Sequence, residues 1–274
     1  MNKVADSQQY VLGHAEAELV RLEHQAQIFR AETHDILHRA GILPGMSVLD
    51  VGCGVGDVSM VAAEIVGRDG RVLGIDNGAA ALTPARARAA RAGYDWLSFA
   101  EADIYGYSPE ETFDAVIGRF ILMHVPAAVG AVKAMVRRLR ARGIIAFIEM
   151  DISEATAVPE LPLLTRCVDW IVSTYVKVGV EPNMGSMLYG TYRAAGLNPR
   201  LHATCRIESG PDAIVYDFAA QALRTLMPAI ETHGIATAAE VDPATIAERL
   251  RAAAVAGDHC IFMPRLVGAW ATAN

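Results

Sequence analysis

Cysteine is scarce in this chain and scattered. Cys53, Cys167, Cys205 and Cys260 form no CxxC pair and have no histidine at metal-ligand spacing. Neither a disulfide framework nor a metal site is expected, and a reducing, cytoplasmic setting fits best. Charge is sparse too. Only 20% of the 274 residues are charged, and the net charge is −7. The basic residues are almost all Arg, and their one local cluster is Arg86, Arg88 and Arg91. A partner held through phosphates selects clustered Lys and Arg, so nucleic acid is excluded and that cluster is expected to be a solvated helix face. No apolar run approaches the ~18–20 residues of a membrane span. The opening MNKVADSQQY is polar and has no apolar h-region, so neither a secretory leader nor a membrane partner is expected. Internal repeats and low-complexity tracts are missing as well. What the chain has in quantity is apolar residues, 53% of the total. That excludes a disordered chain and supplies a core without staples.

The periodicity divides this apolar material. From 11 to 40, Ala15, Leu19, Leu22, Ala26, Phe29, Thr33, Ile36 and Ala40 recur at spacings of four and three, one face of a long helix that Gly41 and Pro44 stop. Short apolar strands then alternate with helices. The strands are SVLDV (47–51), RVLGID (71–76), LSFAEAD (97–103), FDAVIG (113–118) and GIIAFIEMD (143–151). Helices are expected at 57–66, up to Gly93 with Thr83-Pro84 near its start, and at 127–141. Continuous apolar strands joined by helices mean a parallel sheet covered on both faces, a doubly wound α/β fold. Ligands in such folds bind beyond the carboxyl ends of the strands. After 151 the pattern loosens. Helices are expected near 163–178, 185–195, 212–230 and 243–255, and LHATCRIES (201–209) and HCIFMPRLVGAWA (259–271) as a late strand pair at the sheet edge.

The chemistry concentrates in Asp50-Val51-Gly52-Cys53-Gly54-Val55-Gly56, between a strand and a helix. Glycines there let backbone and a helix N-terminus approach a ligand. The nicotinamide fingerprint GxGxxG needs a glycine at 57, where this chain has Asp57. Asp50 would also repel a pyrophosphate, but it suits a ligand that carries an ammonium group and no phosphate. Asp76 ends the second strand, where a carboxylate can accept both hydroxyls of a ribose. Asp103 ends the third, beside Ile104, an arrangement that suits an adenine amino group and ring. Three acids at three successive strand ends describe one ligand: adenine, ribose and an amino-acid tail.

With these residues the chain resembles the class I S-adenosylmethionine-dependent methyltransferases. The matching stretches are VLDVGCGVGDVS (48–59), VLGID (72–76), EADI (101–104), FDAVIGRFILMHV (113–125) and RGIIAFIEMD (142–151). The branch most resembled is that of quinone-biosynthesis C-methyltransferases and actinobacterial natural-product methyltransferases, whose lid helix YVLGHAEAELVRLEHQA also resembles. The resemblance implies a Rossmann-like, seven-stranded, mostly parallel sheet with S-adenosylmethionine as cofactor. It further implies an N-terminal helical lid (1–40), a cofactor-binding core (41–151), a helical acceptor cap (152–200) and a C-terminal part (201–274) that completes the sheet. Gly52, Gly54 and Gly56 would line the methionine and ribose, with Asp50 supporting the loop and Cys53 filling it. Asp76, with Asn77 beside it, would hold the ribose, and Asp103 with Ile104 the adenine. Gly118 and Arg119 would pass near the methionine portion, and Tyr10 would close over the cofactor.

Three further residues fall on the same edge. His124 follows the fourth strand and can serve as a general base or as a pocket wall. Glu149 and Asp151 close the fifth strand, facing either the acceptor or a loop. The expected reaction is methyl transfer to a small, fairly apolar metabolite of secondary metabolism, in which positioning supplies most of the catalysis. The alternative is a cofactor-binding cyclase or other non-methylating relative on the same fold. A homo-oligomer through the N-terminal helix is also open.

Overall fold

The computed structural model describes residues 28–107 and 111–273. Tyr10 and most of the expected lid helix lie outside the described residues. The remainder of that helix is α1 (Arg30–Ala40), ended by Gly41 in a left-handed conformation. The core then alternates strand and helix: β1 (Ser47–Val51), α2 (Asp57–Val66), β2 (Arg71–Asp76), α3 (Ala79–Ala92), β3 (Leu97–Glu101), β4 (Phe113–Arg119), α4 (Ala128–Val136) and β5 (Leu139–Asp151). All five residues of β1 are buried, as a strand covered on both faces requires. The helix α3 starts earlier than the position of Pro84 suggests, so this proline sits inside it. The helix expected to reach 141 stops at Val136, because Leu139 already pairs with Phe113 and lengthens the fifth strand.

After β5 the chain forms β6 (Thr156–Val158), α5 (Pro162–Lys177), α6 (Met184–Ala194), β7 (Arg200–Thr204) and β8 (Ile207–Ser209). There follow α7 (Val215–Thr232), α8 (Ala238–Val241), α9 (Ile246–Ala256), β9 (Cys260–Phe262) and β10 (Arg265–Thr272). Seven strands make one sheet in the order β3-β2-β1-β4-β5-β10-β7. Strands β1 to β5 run parallel, whereas β10 is antiparallel to both β5 and β7. Each of the two late strands expected at 201–209 and 259–271 is in fact two. Their first and last parts join the main sheet as β7 and β10, and the remainder pairs with β6 in a separate sheet of order β6-β9-β8. Strands β7 and β10 are the antiparallel pair expected at the sheet edge, with β7 outermost and β10 between it and β5.

Helices α1, α2 and α3 cover one face of the sheet, and α4 and α6 the other. Residues 152–200, expected as one cap, therefore divide between two layers. Helix α6 lies on the sheet, where the buried Tyr192 hydroxyl donates to Ala269 O at 2.9 Å and accepts from Phe147 N at 3.1 Å. Helix α5 instead packs on α7, with α9 against both. This helical layer stands beside the C-terminal ends of the central strands. Among the described residues no helix is long and apolar enough to cross a membrane.

Candidate active site

The parallel strands put the ends of β1, β2, β3, β4 and β5 along one edge, and the glycine loop occupies its centre. Its shape follows from local demands. Gly52 has φ +67° and a Cβ there would stand 2.6 Å from Ile121 Cδ1, so only glycine fits under the loop that follows β4. A Cβ on Gly56 would meet the Phe99 ring at 2.8 Å. Gly54 differs. Its φ is +52°, yet no atom of the described residues lies within 4 Å of where its Cβ would be. Packing inside the protein therefore leaves the space over Gly54 clear, a cradle that a side chain would fill.

Asp76 ties this loop to the next. The Gly54 N–H donates to its Oδ2 and the Gly78 N–H to its Oδ1, both at 2.8 Å. One amide per oxygen leaves each with a further lone pair for a diol. Asn77 is exposed beside it. Asp50 is buried at the end of β1 and accepts the Ser59 hydroxyl at 2.6 Å through Oδ2. Its Oδ1 is buried with no hydrogen-bond partner among the described residues, an acceptor that an ammonium group would satisfy. Burial pushes its carboxyl up to about 7, against the pull of the Ser59 bond and of Arg119. Asp103 is exposed and uses Oδ1 to take the amides of Tyr105 and Gly106, at 2.8 and 3.0 Å. Ile104 beside it is 8% exposed. Cys53 is buried, and burial followed by the Asp50 charge pushes its thiol far up, which suits a filler and not a nucleophile.

Gly118 is close against Phe147, where a Cβ would come within 2.8 Å of the ring. Arg119 ends β4 and donates to the Thr33 hydroxyl of α1 at 2.7 Å. Burial pulls its guanidinium down, and the Asp57, Asp50 and Glu32 carboxylates pull it back up. The loop acid Asp50 is thus among the carboxylates whose charge Arg119 feels. The next residue, Phe120, takes a left-handed φ of +56°, rare for a large side chain.

The three candidate catalytic residues separate here. His124 closes a short turn, Leu122–His124, and is half-buried. Glu149 is fully buried and its Oε1 accepts the amides of Ile121 and Leu122, at 3.0 and 2.7 Å. It holds the turn that carries His124 and that covers Gly52. Asp151 does not face an acceptor, which corrects one expectation. It is 1% exposed and accepts from Ser186 N and Oγ at 2.7 and 2.8 Å and from Arg265 at 2.7 Å, a tie between β5, α6 and β10.

Burial pushes the Glu149 carboxyl from its ordinary 4.5 up to about 8, against its backbone hydrogen bonds. The folded state thus keeps a proton that the unfolded chain loses near 4.5. Its contribution to stability is complete below that value and is lost as pH rises through about 8. Denaturant titrations across this range are expected to show the decline, and Glu149→Gln to flatten it. Glu149→Ala strands two buried amides and is expected to cost about 2–3 kcal/mol.

Of the basic cluster on α3, Arg86 and Arg91 are exposed, as expected of a solvated helix face, while Arg88 is half-buried and turns to the protein. Arg88 donates to Val55 O at 2.8 Å and pairs with Asp57 at 2.6 Å, bracing the glycine loop and the start of α2. Arg86 donates to Phe99 O. The sequence pattern also passes over Ser59, Ile121 and Thr33. Only Ser59 had a local signal, a hydroxyl in the first turn of the helix that follows the glycine loop.

A parallel sheet with a reversed strand inserted near its end, a glycine cradle at the end of β1 and acids at the ends of its neighbours define the class I S-adenosylmethionine-dependent methyltransferase architecture. A family model described as a methyltransferase domain matches residues 42–178, half of the chain. The chain belongs to that family. An aklanonic acid methyltransferase, DauC, from Streptomyces sp. strain C5 is 37% identical over 120 residues, 43% of this chain and 54% of its own length. A sterol 24-C-methyltransferase of Aspergillus fumigatus is 35% identical over 132 residues, 47% of this chain and 34% of its own. A demethylmenaquinone methyltransferase of Lactococcus lactis is 30% identical over 140 residues, 51% and 52%. The chain thus spans about a third to a half of the length of these relatives. Among solved structures, a putative methyltransferase of Bacillus halodurans superposes with a TM-score of 0.59 at 17% identity, covering 88% of this chain and 98% of that one. At that identity the likeness is one of fold. S-adenosylmethionine is the cofactor of the family. The open cradle over Gly54 and the unpartnered buried Asp50 Oδ1 fit a cationic, phosphate-free group.

Proposed function

We propose that this protein transfers a methyl group from S-adenosylmethionine to a small, fairly apolar organic acceptor in secondary metabolism. The observation that carries the reading is the clear space over Gly54, on the loop that Asp76 pins and that follows the buried Asp50. Gly52, Gly54 and Gly56 would line the methionine and ribose, Asp76 with Asn77 would accept the ribose hydroxyls, and Asp103 with Ile104 would hold the adenine. Gly118 and Arg119 would border the amino-acid tail. When bound, the cofactor supplies an electrophilic methyl on a leaving group that needs no activation. The chain's own work is then to align the acceptor and exclude water. His124 is the candidate to take a proton from the acceptor. Glu149 acts behind it, fixing its turn. Of the four parts of the chain expected, we keep the core at 41–151 and assign the acceptor cover to α5 with α7, α8 and α9. The four cysteines are free, which suits a reducing cytoplasm.

The test is incubation with methyl-labelled cofactor and extract of the source organism. The reading expects label in a small, solvent-extractable product. Cofactor binding with no label in any product would favour the non-methylating alternative.

A further inference from the structure

Beside the C-terminal end of β5 lies a small cavity of about 60 Å³, walled by Met150 and Ile152 from the strand end, Cys167 and Tyr175 from α5, and Phe218 and Ala222 from α7. All 13 of its lining residues are uncharged. Only the Cys167 thiol and the Tyr175 hydroxyl are polar, and burial pushes that thiol up to about 12, keeping it neutral. A line of aromatic contacts joins this cavity to the cofactor edge. Phe218 meets Phe29 edge-on at 5.8 Å, and Phe29 meets Phe120 edge-on at 5.7 Å. Arg119 stands over the Phe120 ring at 5.2 Å. Phe29 is 2% exposed and leads into α1, so the start of that helix supplies the middle ring of the line.

We propose that this cavity is the seat for the uncharged apolar end of the methyl acceptor, and that the Phe218, Phe29 and Phe120 rings line the way from that end to the reacting atoms. The inference rests on the methyltransferase reading and adds the chemistry of the acceptor. Its volume is about two water molecules' share of liquid, so it takes a short alkyl tail or the edge of one ring. A carboxylate or phosphate at that end would be buried with no counter-charge, which a wall without charged groups rejects. The acceptor therefore carries its methylated atom at one end and an uncharged hydrocarbon terminus at the other.

The experiment titrates the full chain with a series of 4-alkylphenols, from methyl to butyl, and with the corresponding acid-terminated 4-hydroxyphenylalkanoates. Affinity is expected to rise about fourfold per methylene over the first two or three carbons and then to level. The acid-terminated compounds are expected to bind at least about tenfold more weakly. Ala222→Phe and Val168→Phe, both on half-buried lining positions, should abolish the rise with chain length while S-adenosylmethionine affinity stays within about twofold. Affinity that ignores chain length, or a rise that survives in both variants, would overturn the seat while leaving the cofactor reading intact. Failure of the wild type to bind S-adenosylmethionine would instead overturn the reading on which the seat rests.

Discussion

Replacing Asp76 by Ala is expected to weaken S-adenosylmethionine binding by about a hundredfold or more. Two hydrogen bonds from ribose hydroxyls to a carboxylate are lost, each worth about 1.5–3 kcal/mol, and tenfold in affinity is about 1.4 kcal/mol. The Gly54 and Gly78 amides lose their common acceptor as well, so the loop they belong to loosens. Asp76→Asn keeps one carbonyl oxygen and should lie between the two. Calorimetric titration of each variant measures the effect, with the thermal transition recorded beside it. Asp76 is half-exposed, so the transition should move by only a few degrees. A binding constant unchanged in Asp76→Ala would remove this residue from the site.

Gly54→Val should have a comparable effect on binding for a different reason. The left-handed backbone at Gly54 costs a non-glycine residue about 1–2 kcal/mol, but a Cβ there meets no atom of the described residues within 4 Å. The fold should therefore survive while the cradle is filled, with binding lost by about a hundredfold or more, since a side chain there takes the place of the ligand. Gly52→Val provides the contrast. Its Cβ would lie 2.6 Å from Ile121 Cδ1, so it should lose stability and binding together. Chemical denaturation of the two variants, run with the cofactor titration, separates them. Equal destabilisation by both would mean that Gly54 is held by packing, as Gly52 is.

The difference between these two glycines was not legible in the sequence, where both are letters of one motif. The motif itself was legible because its parts are local: a strand, a tight loop and a helix start within 12 residues, followed by acids at the ends of the next two strands. The parallel core was legible for the same reason, since each β-α unit announces itself by a change of period. What lay beyond reach involved partners distant in the chain. Arg88 looks like a surface residue until the fold brings Asp57 and Val55 to it. Asp151 looks like a free acid at a strand end until β10 arrives with Arg265, 114 residues later. The insertion of β10 between β5 and β7 is a choice of neighbours that strand periodicity does not encode. Glu149 is the intermediate case. Its place at the cofactor edge was predictable, but its attachment to the Ile121 and Leu122 amides was visible only in three dimensions.

These residues together make one claim: the edge formed by β1, β2 and β3 binds an adenosine that carries a cationic amino-acid tail and no phosphate. Titration of the wild-type chain with S-adenosylmethionine, run beside NAD, tests it most directly. One site per chain is expected for S-adenosylmethionine, in the micromolar-to-millimolar range ordinary for enzyme substrates, and no binding of NAD. A folded protein that binds NAD, or that binds neither ligand, would contradict it.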